Sequence, residues 1–280
     1  PLALLNTTDE PVPATSRILS GGNITLDTGT LDNSRGLIQS TTDTRINTGT
    51  ASLINRNSTE HGGILSGGRL TLTTGELNNR NGTIVGQTDT QVTSGESDNR
   101  DGLLASDAGS LVLKTQGLRN DGGRLLAGKK LLADTQGNPL SNTGGTVFGK
   151  SVLTLNSGEL DNAAGQIAAG SALEVNTHGQ HLINRNSTGG GGLVSGGTLT
   201  LEAGNTNNHL GHIAGRTDIS VRTAELDNRE GILVSDEGAL SVLARETLNQ
   251  GGLLQSAGNL TLNTQEAGLY NAGSGASGGI

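Results

Sequence analysis

GELDNAAGQIAAGSALEVN, residues 158–176, holds three signals in a fixed order. Leu160 is followed two residues on by Asn162, and a Gly stands three residues beyond that Asn. Ile167 is followed two residues on by a small residue, Ala169. Leu173-Glu174-Val175 then alternates apolar and polar, and a period of two with one apolar side is the pattern of a strand. No period of 3.6 competes with it.

The same order recurs along the chain, and internal repeats decide the fold of any sequence that has them. Aliphatic anchors stand at Ile18, Ile38, Ile64, Ile84, Leu104, Leu125, Val147, Ile167, Leu193, Ile213, Leu233 and Leu254, each followed two residues later by Ser, Gly or Ala. Successive spacings are 20, 26, 20, 20, 21, 22, 20, 26, 20, 20 and 21, so the series itself repeats after six units, 129 residues on. An Asn precedes each later anchor, from Asn33 and Asn55 to Asn228 and Asn249, and a further one stands at Asn271.

Composition sets the alternatives. With 46 Gly, one Phe, one Tyr, no Trp and 31% hydrophobic residues, the chain has no thick aromatic core. Such a bias also describes disordered chains, but twelve anchors with twelve small partners exclude disorder. The net charge of −8 is scattered without like-charge runs, which argues against a nucleic-acid footprint. No apolar run approaches the roughly 18 residues of a membrane span, so membrane insertion by this segment is not expected. The absence of Cys rules out disulfides and thiolate sites and suits a chain that crosses an envelope unfolded. With no initiator Met and no signal peptide, the chain is read as part of a longer filament.

Strands this short bury no face alone. Stacking places equivalent residues about 4.8 Å apart and pairs each backbone with the next coil. The expected fold is all-β, a right-handed parallel β-helix of 12 to 13 coils of 20–26 residues, roughly 60 Å long, its hand taken from the preference of parallel crossovers. Anchors such as Ile38, Ile64 and Ile84 form one aliphatic stack, and Ser40, Ser66 and Gly86 mark a bend where the core narrows. Glycines such as Gly36, Gly82, Gly165 and Gly231 are expected to close the corners through positive φ. The Asn series has two readings: an inward ladder of amides bonded between coils, which is favoured, or simple turn formation.

Residues 1–280 are read as one β-helical segment with an internal duplication of six coils, about 18–146 and 147–270. Residues 53–106 align without gaps to 182–235, with 31 of 54 positions identical, and LINRNST stands in both copies. Both 26-residue spacings come from long corners, Arg56, Asn57, Ser58, Thr59, Glu60 and His61 in one, Arg185, Asn186, Ser187 and Thr188 with two glycines in the other. These are the candidate interaction loops. The segment TTDEPVPATS before Arg17 is a loose terminus or a third, longer corner.

No catalytic, cofactor or metal site is expected. The five histidines, His61, His178, His181, His209 and His212, read as corner residues rather than ligands. GGGG at 189–192 lacks the Asp of a calcium-binding nonapeptide. Thr25, Thr71, Thr154, Thr200 and Thr261 share an outward column, but Arg45, Gln91 and Glu174 interrupt it, which removes an ice-binding array. A polysaccharide-active β-helix needs aromatic platforms, and this chain offers only Phe148 and Tyr270. The triplets beginning at Asn6, Asn23, Asn57, Asn186 and Asn259 fit an N-glycosylation pattern that is frequent by chance in this composition.

The units LDNSRGLIQS, GELNNRNGTIVG, GELDNAAGQIAAG and AELDNREGILVS resemble the haemagglutinin repeats of filamentous haemagglutinin and of contact-dependent growth inhibition toxins. The resemblance implies a segment of a large exoprotein of a Gram-negative bacterium, exported through an outer-membrane two-partner secretion transporter and displayed at the cell surface. Its implied role is a rigid stalk that presents a distal binding or toxic region. The rival expectation is a direct adhesion module whose long corners contact a host or bacterial receptor or glycan.

Overall fold

The computed structural model describes residues 16–58, 62–273, 275 and 278–280. Their 36 strands form three sheets of twelve, and successive coils contribute one strand to each sheet. A single coil places Gln166–Ala169 in the anchor sheet, Ala172–Asn176 in the middle sheet and Leu182–Ile183 in the short sheet. All pairings along the rod are parallel, and the anchors fall in register from Ile18↔Ile38 to Leu233↔Leu254. The molecule is therefore a parallel β-solenoid of twelve turns, about 55 Å long at the strand spacing.

The core is a stack of aliphatic rows. From Ile38 to Leu254 the anchors are at most 1% exposed, and each contributes about 1.5–3 kcal/mol by burial. Leu70 and Leu72, or Leu199 and Leu201, line the opposite wall from the middle sheet. The small residues two beyond the anchors mark the predicted bend: a Cβ on Gly86 would press on Thr90 Oγ1 at 2.5 Å and on Leu70 Cβ at 3.1 Å. Thr44 and Thr90 replace aliphatics in the middle-sheet rows, and their hydroxyls are used locally. Thr44 Oγ1 pairs with Ser40 Oγ at 2.7 Å, and Thr90 Oγ1 donates to the Ala105 carbonyl at 2.9 Å.

The Asn series is an inward ladder. Eleven bonds run from Asn33 to Asn271, each Nδ2 donating to the Oδ1 of the next Asn at 2.7–2.9 Å. The second amide hydrogen reaches backbone carbonyls: Asn79 Nδ2 lies 3.3 Å from Gly82 O and 3.0 Å from Leu103 O in the next coil. A buried amide thus satisfies its own polar atoms and a corner carbonyl, which no apolar residue could do.

One expectation is corrected. Gly36, Gly82, Gly165 and Gly231 do not hold positive φ. That conformation falls one residue earlier, at Arg35, Asn81, Ala164 and Glu230, with φ of 57°, 49°, 52° and 53°. The glycines serve close approach instead. A Cβ on Gly165 would collide with the Asn142 carbonyl of the preceding coil and lie 2.6 Å from Asn162 Oδ1. Tight stacking beside the ladder, rather than backbone handedness, selects Gly there.

Candidate functional site: the long corners and their troughs

At an ordinary corner the Gly carbonyl accepts an N–H from the next coil, as in Leu103 N–H to Gly82 O at 2.8 Å. The long corners leave that place to a serine. Ser58 stands three residues after Asn55, where Gly stands elsewhere, and its Oγ accepts from Thr83 N–H at 3.2 Å while donating to Asn55 O at 3.1 Å. Ser187 repeats both contacts, with His212 N–H at 3.0 Å and Asn184 O at 2.9 Å. Asn57 and Asn186 take the left-handed conformation, φ 57° and 58°, that Asn tolerates better than most residues. Leu53, Asn55, Asn57 and Ser58 are each fixed by the coil, which explains most of the verbatim repetition of LINRNST.

This placement corrects the candidate loop. Ser58 and Ser187 are 3% and 2% exposed with their hydroxyls engaged, so neither is presented to a partner. Arg56, Asn57, Arg185, Asn186 and Thr188 are exposed. Arg56 lies back on the preceding coil, its Nε donating to Ser34 Oγ at 3.4 Å. Thr59, Glu60 and His61 lie outside the described residues, as does the segment before Ser16.

A third long corner escaped the sequence reading. Gly279 N–H bonds to Gly252 O at 2.7 Å, as Gly63 does to Gly36 O and Gly192 to Gly165 O. Gly63, Gly192 and Gly279 share φ of 112°, 93° and 116°. Ile280 follows Leu254 by 26 residues, the long spacing. The signal was available: Gly-Gly-aliphatic ending nine residues after a ladder Asn occurs at all three corners.

Beside the first two corners the short sheet is hollowed into troughs. A cavity of about 240 Å³ is lined by Ser52, Ile54, Glu76, Asn78, Glu96, Asp98 and Arg119 among others. Residues 129 positions later, including His181, Ile183, Asn207 and Asp227, line two further cavities of about 240 Å³ each. The two troughs are six coils, about 29 Å, apart. Each offers an isoleucine, an asparagine amide and an acidic rim.

Much of that rim is already paired. Asp98 binds Arg100 at 2.6 Å, Asp227 binds Arg229 at 2.7 Å, and Arg119 reaches Glu96 at 3.1 Å. Burial opposes ionisation of Asp98, but hydrogen bonds from the Arg100 side chain and backbone, with its charge, outweigh it and hold the carboxyl below its ordinary range. Asp227 is held down in the same way by Arg229, with a smaller contribution from His209. These carboxylates are fixed anions suited to holding shape and accepting hydrogen bonds. Among the described residues, no group of three or more His, Asp or Glu side chains could hold a metal ion.

An uninterrupted solenoid with a buried amide ladder and recurring corners defines the class, a β-solenoid repeat rod. Haemagglutinin repeats match residues 6–59, 55–138, 133–185, 182–243 and 237–280, so the chain belongs to the haemagglutinin repeat family of the filamentous haemagglutinin type. Comparison with curated proteins and with solved structures found no match.

Proposed function

We propose that this chain is a stiff stalk segment of a large secreted exoprotein, exported through an outer-membrane two-partner secretion transporter and displayed on a Gram-negative cell surface. Its work is mechanical: it holds a distal binding or toxic region away from the envelope and catalyses no reaction. Haemagglutinin repeats on a β-solenoid fit a rod-like segment of a filamentous haemagglutinin-type adhesin. The observation that carries the stalk reading is the continuity of three in-register parallel sheets over twelve coils, tied by the Asn ladder. Bending or stretching such a rod must break bonds in several sheets together, and stability accumulates coil by coil.

On this reading the 129-residue periodicity records duplication of a six-coil block, which lengthens the rod without altering its section. Deleting residues 53–181 joins Ser52 to Leu182 in register. The shortened segment is expected to fold, and electron microscopy or small-angle scattering should show a rod about 29 Å shorter. In the exoprotein, reach should fall while the distal activity persists. Loss of the fold, or an unchanged length, would refute the stalk.

A second reading has its own observation. The exposed corner residues Arg56 and Arg185 follow the trough-lining Ile54 and Ile183 by two residues, at equivalent places six coils apart, an arrangement suited to a bivalent contact with a receptor or glycan. Replacing residues 56–61 and 185–190 with ordinary short corners tests it in a cell-adhesion assay. Unchanged adhesion sinks direct binding, and lost adhesion with an intact rod sinks the purely mechanical role.

A further inference from the structure

The outward side of the anchor sheet differs in kind from the other two faces. Each of its twelve strands turns two residues outward, those flanking the anchor. In the column after the anchor, running from Leu19 to Gln255, ten of twelve positions are Leu, Val, Ala or Phe. Across all 24 outward positions there is no acidic residue, and Arg17 and Arg124 are the only Lys or Arg, in a chain that carries 26 acidic residues. The middle sheet carries Asp27, Asp134, Glu174 and Glu202 outward, and the short sheet Asp32, Glu76, Asp98 and Asp227. The chain's one Phe stands in the apolar column, with Phe148 37% exposed. Val85, Ala105, Ala168 and Ala214 are only 7–8% exposed, so the accessible apolar surface of this stripe is carried by Leu19, Leu65, Leu126, Phe148, Val194 and Val234.

We propose that this stripe is an interface with a second copy of the same chain, two rods lying antiparallel with their anchor sheets face to face and a twofold axis at Phe148. Area is the first argument. A four-residue strand is about 13 Å long and twelve strands span about 53 Å, so each rod offers roughly 700 Å². Two such faces cover about 1,400 Å² together, inside the range of stable specific interfaces.

Size pattern is the second. A twofold at Phe148 reverses the order of coils, so each position meets the one equally far on the other side. Leu126 then faces Ala168, and Val194 faces Ala105. The polar exceptions Gln39 and Gln255 face each other. At the axis Phe148 meets its own copy and Leu65 faces Val234, so apolar meets apolar and polar meets polar along the column, which is the self-complementarity an isologous contact requires. A nearly charge-free stripe on an otherwise acidic rod removes the like-charge repulsion that would oppose pairing elsewhere.

The test uses the absence of Cys. In sedimentation equilibrium at micromolar concentration the 280-residue chain is expected to be a dimer, and Phe148→Glu should weaken association by about 30-fold or more with unchanged circular dichroism. Phe148 points outward, so this variant leaves the core intact. Under mild oxidation Phe148→Cys should form a homodisulfide much faster than Thr71→Cys, which is outward on the middle sheet. A chain monomeric at about 100 micromolar overturns the proposal, as do equal cross-linking rates for the two cysteines. So does a monomer that binds phosphatidylcholine vesicles through the same stripe, since lipid would then be the occupant.

Discussion

Two neighbouring residues, Ala164 and Gly165, should respond to substitution with opposite signs. Ala164 is exposed and holds φ 52°, a conformation that costs an L-residue about 1–2 kcal/mol. Ala164→Gly relieves that cost, and the greater freedom of Gly in the unfolded chain returns about 0.5–1 kcal/mol of it, leaving a gain of about 0.5–1 kcal/mol. Gly165 has ordinary φ, but its Cα lies against the ladder. In Gly165→Ala the new methyl meets the Asn142 carbonyl and stands 2.6 Å from Asn162 Oδ1 and 3.0 Å from Asn142 Nδ2. To make room, the coils must part where Asn142 Nδ2 donates to Asn162 Oδ1 at 2.7 Å and Gln166 N–H bonds to Gly145 O at 2.8 Å. Overpacking together with a strained buried amide puts the loss at about 3 kcal/mol. Urea unfolding followed by far-ultraviolet circular dichroism reads both variants against the parent, and equal m-values would show that the cooperative unit is unchanged. A Gly165→Ala loss below about 1 kcal/mol, or destabilisation by Ala164→Gly, would refute the separation of close approach from handedness.

Three further outcomes follow from the same geometry. Asn142→Leu removes the acceptor that Asn120 Nδ2 meets at 2.7 Å and the donor to Asn162 Oδ1, so urea unfolding should show a loss of about 2–4 kcal/mol; a neutral result would mean that the ladder adds nothing beyond turn formation. Thr247 Oγ1 is buried without a partner among the described residues, so Thr247→Val should raise the unfolding midpoint, a gain of about 1 kcal/mol. Asp98 and Asp227 have folded pKa values below the unfolded value of about 3.9, so their pairs stabilise the fold above that pH and lose their contribution as pH falls through the depressed folded values. Between pH 5 and 2 the urea midpoint should fall less steeply in the Asp98→Asn, Asp227→Asn double variant than in the parent, and identical slopes would remove the pairs from the acid response.

What could be read from the sequence is what the stacking repeats at a fixed residue type. Anchors such as Ile84 and Ile213 fill the same hole in every coil, and ladder positions such as Asn79 and Asn208 need an amide that both donates and accepts, so each leaves a periodic signature. The left-handed position two residues after the ladder leaves a weaker one: eight of its twelve residues are Gly, Asn or Asp. It also accepts Arg35, Ala164, Leu210 and Glu230, because neighbouring coils fix the corner and leave these side chains exposed or half-buried, and those exceptions blur the signal. The role of Ser58 was also hidden: a hydroxyl replacing a glycine carbonyl becomes visible only once the next coil's Thr83 N–H is in place. The apolar stripe was missed for a different reason. In anchor strands such as LLQS or TVFG the inward and outward residues are both apolar, so a count of hydrophobics assigns them all to the core and only register separates Val147 from Phe148.

The same register bears on the long corners. Lengthening a corner from five to nine residues between the ladder Asn and the anchor would normally strand the N–H groups of the coil above, and one serine hydroxyl prevents that at Thr83 and again at His212. Insertion at this edge is therefore tolerated wherever Ser follows the ladder Asn by three and Gly-Gly precedes the anchor. Ser58→Ala should cost about 1–3 kcal/mol by leaving Thr83 N–H unpaired, and Ser58→Gly should not recover it, because the inserted residues keep the glycine carbonyl from the place it holds in ordinary coils. Hydrogen exchange at Thr83 reads this directly: faster exchange in both variants supports the exchange of roles, and full protection in Ser58→Gly would show that a carbonyl can still reach.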